Sequence, residues 1–280
     1  MSELLEQRLK QQFPTAKQTT LRNMLRDGRV RINGTTARRM KQPIGESDKI
    51  EVISLPPPSK PIASVHPLKI IFEDDDLLIV DKPAGLLTST VPREKRPTAL
   101  AILRNYTYVG LIHRLDRDAA GLLVFSKNDL AHHSLKRQFF LHTVQRTYIA
   151  VTDGVPTPAA GRIESRLFEL PDGSVHPATR EATGELAITE YQTISRQGNK
   201  SVVRATLHTG RKHQIRVHLS QRGAPIVGDS LYNHTRPASR LMLAAVVLGF
   251  VHPRTGHPVL YELQTPKYFP IIGGRMLSQI

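Results

Sequence analysis

The sequence predicts an α+β fold in which a mixed, largely antiparallel β-sheet is preceded by a small basic unit. Short apolar or alternating segments typical of strands recur through most of the 280 residues. Helical spacing appears only at intervals, without the regular strand–helix–strand repeat of a parallel sheet. Four prolines within 54–61 form a stiff, extended spacer. We therefore expect an N-terminal unit at 1–54, a proline-rich linker at 55–61 and a main domain at 62–280.

The composition indicates a globular protein with a polyanionic partner. Its hydrophobic and charged fractions, 39% and 22%, are those of an ordinary folded domain. The 39 Lys and Arg against 24 Asp and Glu give a formal net charge of +15. An excess this large favours nucleic acid, whose phosphates release counterions when they are neutralised. The alternative is a basic surface that serves solubility alone.

The absence of cysteine excludes several classes of site. With no cysteine in the sequence, disulfides, thiolate metal ligands and thiol nucleophiles are ruled out. The first residues lack the apolar run of a signal peptide, and the apolar stretch at 241–251 is too short to span a bilayer. We therefore expect a soluble, cytoplasmic protein.

The N-terminal unit is predicted to contain one helix and a hairpin. A helix capped by Thr20 is expected to end at Asp27-Gly28. Residues 30–32 alternate in polarity and lead into Asn33-Gly34, a pair favoured in tight hairpin turns. Residues 50–53 provide a closing strand.

This order of elements resembles the α-L RNA-binding fold of ribosomal proteins and RNA modifiers. The resemblance covers about the first fifth of the chain and implies that the unit binds RNA; the alternative is a small basic domain without a particular ligand. The residues expected to contact RNA in this unit are Arg22, Arg26, Arg29, Arg31, Arg38 and Arg39.

The main domain is predicted to begin with a strand, a turn and a buried strand over 70–80. Further strands are expected where polarity alternates, and helices where apolar residues recur every three or four positions. The expected strands are 147–151, 187–194 and 201–208, and the expected helices are 130–140 and 212–221.

The densest chemical signal lies at 110–123, between two apolar runs. Asp116 and Asp118 stand there among basic residues, where a break between buried strands can present polar groups at a cleft. Neighbouring guanidiniums should keep Asp116 ionised, which suits a nucleophile or a base. The alternative is a structural ion pair.

The segment His113-Arg-Leu-Asp-Arg-Asp-Ala-Ala-Gly121 resembles the catalytic motif of the RluA-like pseudouridine synthases, in which the aspartate at the position of Asp116 is catalytic. The resemblance extends over about 68–263. This chain has Ala119-Ala120 where the family usually has Thr-Ser, and Ala244 where it usually has His. The other matching segments, in the family's order, are 72–85, 146–150, 207–218, 223–232 and 250–256.

The resemblance implies a cofactor-free enzyme that isomerises uridine to pseudouridine in structured RNA. Asp116 would be the essential carboxylate, as nucleophile or as base, with Arg216 as its cationic partner. Tyr148 would stack on the uracil, and Arg114 would fill the space that the flipped base leaves. Ribosomal RNA is the expected substrate because the N-terminal unit favours folded RNA; transfer RNA and a non-catalytic RNA-binding or assembly factor are the alternatives.

Simpler interpretations of some residues also follow from the sequence. Arg216 could merely solvate an exposed helix face, and Gly121 fits a turn. His208, His213 and His218 could suggest zinc, but without cysteine or an orderly carboxylate partner we expect no metal site and no metal requirement.

Overall fold

The computed structural model divides into two compact units, Met1–Lys60 and Pro61–Ile280. The expected linker at 55–61 lies outside the described residues. Within the described residues, no helix is long and apolar enough to cross a membrane. The structure describes residues 3–14, 16, 18–26, 30–37, 39–52, 68–90, 96–103, 109–178, 184–233 and 240–270.

The described residues of the first unit form two helices and two small sheets. Its central sheet has the order β3-β2-β5, and β1 pairs with β4. Asn33 and Gly34 both adopt positive φ, 50° and 81°, as a tight hairpin turn requires. The elements are β1 (Glu3–Leu4), α1 (Leu5–Gln12), α2 (Gln18–Arg26), β2 (Val30–Ile32), β3 (Thr35–Thr36), β4 (Pro43–Ile44) and β5 (Ile50–Val52).

The core of this unit is small and joins both helices to the sheet. Leu5 and Leu9 lie one turn apart on α1 and are fully buried, together with Leu21 of α2 and Val30 of β2. Helix α1 has no counterpart among the predicted elements. Helix α2 and the hairpin match the predicted order, although α2 begins two residues before Thr20.

The second unit is dominated by strands, as the predicted fold class requires. Its elements are β6 (Lys69–Glu73), β7 (Leu77–Lys82), α3 (Ala99–Ile102), β8 (Gly110–Leu111), β9 (Ala120–Ser126), α4 (Asp129–Phe140), β10 (Gln145–Asp153), β11 (Ala160–Glu169), β12 (Val175–Pro177), β13 (Glu185–Gln197), β14 (Lys200–Leu207), α5 (Gln214–Gln221), β15 (Leu243–Val251) and β16 (Pro258–Glu262).

These strands form one mixed sheet of eleven. The main order is β12-β11-β13-β14-β10-β15-β9-β7-β6, with β16 beside β15 and β8 beside β9. The β9–β15 pair is parallel, and the other pairs recorded for this sheet are antiparallel. The prediction of a mixed, largely antiparallel sheet is confirmed.

Buried side chains cover both faces of the sheet at β7. Leu78 and Val80 belong to the cluster that includes Ile215 of α5, while Leu77 and Ile79 belong to the cluster that includes Leu135 of α4. Because both faces are covered, residues 77–80 are fully buried and read as a continuous apolar run.

The parallel contact explains a glycine that the sequence places in a turn. Gly121 lies inside β9, with φ of 112°, beside Ala245 of β15. A Cβ at this position would come within 2.1 Å of the Ala245 carbonyl oxygen. The turn prediction is therefore wrong: Gly121 permits the close approach of two central strands.

Candidate functional site

A cleft of about 1000 Å³ opens in the second unit and collects the residues singled out in its sequence. Its walls come from the loop between β8 and β9, the end of α4, strand β10 and helix α5. Arg114, Asp116, Tyr148 and Arg216 all line it. These four residues span about a hundred positions, and the sheet brings them together.

Asp116 pairs with Arg216 across the cleft wall. The Arg216 Nη1 donates to Asp116 Oδ2 at 3.3 Å, and the two side chains are 7% and 23% exposed respectively. On its other edge the same guanidinium binds Asp229 with both prongs, at 2.8 Å each. Asp229 is buried and also accepts the backbone N–H groups of Leu231 and Tyr232. Arg216 is thus anchored by one carboxylate and presents its remaining edge to the other.

The surroundings of Arg216 hold its charge firmly. Burial alone would lower the pKa of Arg216, but Asp229 and Asp116 together raise it above the ordinary arginine value. The Tyr232 ring lies 5.1 Å from the guanidinium carbon, a cation–π distance. The idea that Arg216 merely solvates a helix face is wrong, because residues 214–219 of α5 are all buried.

The start of α5 sets the position of Arg216. His213 adopts a left-handed conformation, φ 54°, so the helix begins at Gln214 and not at the expected residue 212. The Gln214 side chain is buried; its oxygen accepts from the Thr209 hydroxyl and the Arg211 N–H, and its amide donates to the Ile188 carbonyl. A satisfied buried amide fixes the helix end, and Arg216 lies half a turn further on.

The loop that carries Asp116 is held by the segment at 82–88. The Thr88 hydroxyl donates to the Leu115 carbonyl at 2.9 Å and accepts the Leu115 N–H at 3.1 Å. The Arg117 carbonyl accepts from the Gly85 N–H and from Lys82 Nζ, both at 2.9 Å. Both peptide neighbours of Asp116 are therefore fixed by hydrogen bonds from outside the loop.

Lys82 is an unusual contributor to this support. It is fully buried, and its ammonium donates to three backbone carbonyls, those of Pro83, Leu86 and Arg117. Burial lowers the pKa of Lys82 to about 8, against the opposing influence of Asp116 and Asp118. Ala119 and Ala120 are buried beside this loop and offer no hydroxyl to it.

The second aspartate of the segment has a different partner. Arg117 binds Asp118 through two hydrogen bonds of 2.8 Å, on the exposed side of the loop. The expectation that neighbouring guanidiniums hold Asp116 is thus wrong for Arg117, because its side chain binds Asp118 instead. The guanidinium beside Asp116 comes from 100 residues further along the chain.

Tyr148, on β10, also forms part of the cleft wall. It is 8% exposed, and burial raises the pKa of its hydroxyl to about 12, with Arg146 opposing and Asp116 adding to the shift. The phenol therefore stays neutral at physiological pH. Arg114 is exposed at the same cleft.

The arginines predicted to bind RNA in the first unit are only partly described. Arg22, Arg31 and Arg39 are exposed. Arg26 ends α2, but its side chain is not described, and Arg29 and Arg38 lie outside the described residues. An open pocket of about 570 Å³ beside Arg39 is lined by Thr35, Thr36 and Gln42 as well.

The histidines that could suggest zinc do not converge. His208 contacts Glu190, His213 contacts Tyr232, and His218 lies between Ser165 and Thr189. Over the described ranges, one other group has the spacing of metal ligands: Asp74, Asp76 and His252.

That group already binds a cation supplied by the chain. Arg254 donates to both oxygens of Asp76 at 2.7 Å, and His252 Nε2 lies 2.9 Å from Asp74 Oδ2. None of these residues lines the cleft. The cluster ties the β6–β7 turn to the turn after β15.

Three supporting residues escaped the sequence interpretation, namely Lys82, Thr88 and Asp229. One local signal pointed to Lys82, because it is a charge at the end of the strand that begins with the apolar run 77–80. Asp229 and Thr88 carry no comparable signal in the sequence.

Comparison with known proteins identifies the family of this chain. A family model described as RNA pseudouridylate synthase matches residues 76–221, just over half of the chain. A ribosomal large subunit pseudouridine synthase D of Nitrosomonas europaea is 33% identical, over 94% of this chain and 81% of its own. An uncharacterized RNA pseudouridine synthase of Bacillus subtilis is also 33% identical, over 89% of this chain and 86% of its own.

A solved structure shares the fold. The human RNA pseudouridylate synthase domain containing 4 matches 72% of this chain and 90% of its own, with a TM-score of 0.61 and 24% sequence identity. At that identity the likeness speaks for the fold alone, and the family model and the relatives carry the assignment. The chain belongs to the RNA pseudouridylate synthase family and is a pseudouridine synthase of the RluA-like type.

Proposed function

We propose that this pseudouridine synthase acts on a uridine of ribosomal RNA, with Asp116 as the catalytic carboxylate and without a cofactor. The observation that carries the proposal is the Asp116–Arg216 pair on the wall of the cleft. The aspartate side chain is 23% exposed, so it is held by the protein and still accessible to an RNA.

The reaction requires a correctly positioned carboxylate and no redox chemistry. The bond between uracil N1 and the sugar C1′ breaks, and a bond between C5 and C1′ forms. One proton leaves C5 and one is gained at N1, so substrate and product are isomers and no electron acceptor is required. Asp116 either attacks the sugar or removes a proton from it, and in both roles Arg216 orients the carboxylate.

The other cleft residues have supporting roles in this proposal. Tyr148 stacks on the uracil of a flipped nucleotide, because its ring lines the cleft and its hydroxyl stays neutral. Arg114, exposed on the Asp116 loop, occupies the position that the base leaves. Phe140, 80% exposed at the end of α4, adds an aromatic surface to the cleft wall.

The first unit is proposed to bind RNA through its backbone phosphates. Exposed Arg22, Arg31 and Arg39 supply positive charge there, and the helix and hairpin follow the order expected of an α-L module. The large-subunit names of several relatives favour ribosomal over transfer RNA.

The experiment is a transcriptome-wide pseudouridine map in cells that lack the gene. We expect one or a few ribosomal positions to lose pseudouridine, to regain it with the wild-type gene, and to stay unmodified with Asp116→Asn. A complementing gene that carries Arg22→Gln, Arg31→Gln and Arg39→Gln should restore modification only partly, since phosphate contacts are weakened. Losses confined to transfer RNA would overturn the ribosomal assignment, and full restoration by Asp116→Asn would overturn the catalytic one.

A further inference from the structure

Arg146 is a buried cation of the cleft that the proposed chemistry does not use. It lies on β10 two residues before Tyr148, is 8% exposed, and lines the cleft with it. Residues two apart on a strand share a face and are separated by about 7 Å. Arg146 therefore lies one short step along the same wall from the proposed uracil site.

The guanidinium of Arg146 has almost no polar partner. Its Nη2 reaches the His208 carbonyl at 3.5 Å, a long hydrogen bond, and its Nε is buried without a partner among the described residues. The Phe139 ring lies 5.5 Å from the guanidinium carbon. Burial lowers the pKa of Arg146, and within the described ranges it forms no ion pair with a carboxylate.

Two other cations of the same cleft are paired with carboxylates of the protein. Arg211 pairs with Glu185 at 3.0 Å, and Lys212 pairs with Glu169 at 2.6 Å. A buried cation without an anion is costly for folding. An anion that belongs to the substrate would offset this cost when the complex forms.

We propose that Arg146 binds a phosphate next to the target uridine and so fixes the nucleotide relative to Tyr148 and Asp116. This inference rests on the proposed function. A guanidinium presents a planar fork that fits two phosphate oxygens, and the Phe139 ring holds the plane of that fork in place. The step of about 7 Å between Arg146 and Tyr148 suits a base at one position and its flanking phosphate at the other.

The test combines protein variants with chemically altered RNA. The probe is a short synthetic RNA that spans the mapped uridine, with a neutral methylphosphonate placed singly at each phosphate around it. Arg146→Met removes the charge and keeps the volume, and Arg146→Lys keeps the charge without the fork. Arg162→Met is the matched control, because Arg162 is exposed and already pairs with Glu164 away from the cleft.

We expect Arg146→Met to weaken RNA binding about tenfold or more. The slope of log affinity against log salt should fall by about 0.7 to 0.9, the value for one phosphate contact. One methylphosphonate position should weaken the wild type to a similar degree and have no further effect on Arg146→Met. Thermal stability should not fall, since the variant removes an unpaired buried charge. Arg162→Met should match the wild type in every readout.

Wild-type affinity and salt slope in Arg146→Met would overturn the proposal, as would an additive loss at every methylphosphonate position. If Arg146→Met proves unstable, Arg146→Lys is the deciding variant. Its RNA affinity should still fall when the same phosphate is replaced by a methylphosphonate, and the absence of that fall overturns the proposal. Pseudouridine formation by the wild type is measured alongside. Pseudouridine formation by the wild type, together with wild-type affinity and salt slope in Arg146→Met, contradicts this inference alone, whereas no formation in any RNA contradicts the proposed function with it.

Discussion

Two walls of the cleft each contain a buried guanidinium, and the two guanidiniums differ in their partners. On the α5 wall, Arg216 is held by Asp229 and Asp116, and its pKa is raised above the ordinary value. On the β10 wall, Arg146 has one long hydrogen bond and no described carboxylate, and its pKa is lowered. The protein itself supplies the carboxylate partners of Arg216, which orients Asp116. Arg146 has no carboxylate partner among the described residues, as is expected of a group that binds an anionic ligand.

This difference separates what the fold builds in advance from what the RNA supplies. The Asp229–Arg216–Asp116 chain is complete without substrate, which favours a fixed geometry for the proposed catalytic carboxylate. The β10 wall offers an aromatic ring and a cation whose partners are missing. Changes on the α5 wall should therefore damage folding and turnover together, while changes on the β10 wall should act mainly on the RNA complex.

The largest effect is expected from breaking the α5 wall at Asp229. Asp229→Asn removes the carboxylate that binds both prongs of Arg216 and leaves a buried guanidinium with one partner. Loss of one member of a buried ion pair costs about 3 to 5 kcal/mol. We expect a loss of this size in chemical denaturation, together with a fall in turnover because Arg216 no longer orients Asp116.

The control for this prediction is an exposed pair. Glu164→Gln removes the partner of Arg162, whose pair is half exposed, and pairs of that kind contribute about 0 to 1 kcal/mol. If Asp229→Asn lowers the free energy of unfolding no more than Glu164→Gln does, the Asp229–Arg216 pair does not stabilise the α5 wall.

A smaller effect is expected on the β10 wall at Tyr148. Tyr148→Leu removes the ring, and loss of base–aromatic stacking costs about 1 to 3 kcal/mol. Tyr148→Phe keeps the ring and should bind the RNA nearly as the wild type does, without loss of folding stability. Binding titrations and denaturation of both variants check this; equal losses of affinity for Leu and Phe would contradict a stacking role.

The pH dependence follows from the raised pKa of Tyr148, about 12. The unfolded chain ionises this tyrosine near pH 10, whereas the folded protein holds it neutral to about 12. Its contribution to stability is therefore complete below pH 10 and is lost as the pH rises from 10 to 12, and Tyr148→Phe should reduce that alkaline loss.

At neutral pH the smallest effect is expected from two histidines that burial holds neutral, since their contribution changes only as the pH falls. His113 lines the cleft and stacks on Phe139 of α4, and burial lowers its pKa to about 3. On α5, burial lowers the pKa of His218 to about 4. The unfolded chain protonates both near pH 6.5, so folding stability is lost as the pH falls from 6.5 towards these values, by at most about 1.4 kcal/mol per pH unit for each residue.

Variants of the two histidines should therefore flatten the acid limb of the stability curve. His113→Gln should do so over a wider pH range than His218→Gln, because its folded-state pKa lies lower. Urea titrations at intervals from about pH 7 down to about pH 3 measure this, because the two variants differ only as the pH approaches the folded-state values. An acid limb identical to that of the wild type in both variants would show that neither histidine is held neutral.

Local sequence patterns predicted the architecture where one side of an element differs from the other. Alternation located β13 and β14, and helical spacing located α4 to within one residue. Strand β15 was noted only as an apolar stretch, because it is the centre of the sheet and buried on both faces, so its residues carry no alternation. Helix α1 is short and follows a two-residue strand, which leaves little periodicity to detect.

The site was predictable only through the family resemblance. The Asp116–Arg216 contact joins residues 100 positions apart, and no local pattern relates them. Apart from that resemblance, no local pattern distinguished Asp116, which lines the cleft, from Asp118, which pairs with its own neighbour Arg117. Lys82 and Asp229 act through backbone carbonyls and a distant guanidinium, contacts that only the folded chain reveals.

Asp116 and Asp118 also allow a direct comparison that tests whether Asp116 carries the chemistry. Single-turnover pseudouridine formation should be measured for the wild type, Asp116→Asn and Asp118→Asn on the same RNA, with affinity measured in parallel. We expect Asp116→Asn to lose at least about 100-fold in rate with nearly unchanged affinity, and Asp118→Asn to stay close to the wild type. Wild-type turnover by Asp116→Asn, or an equal loss in both variants, would contradict the account.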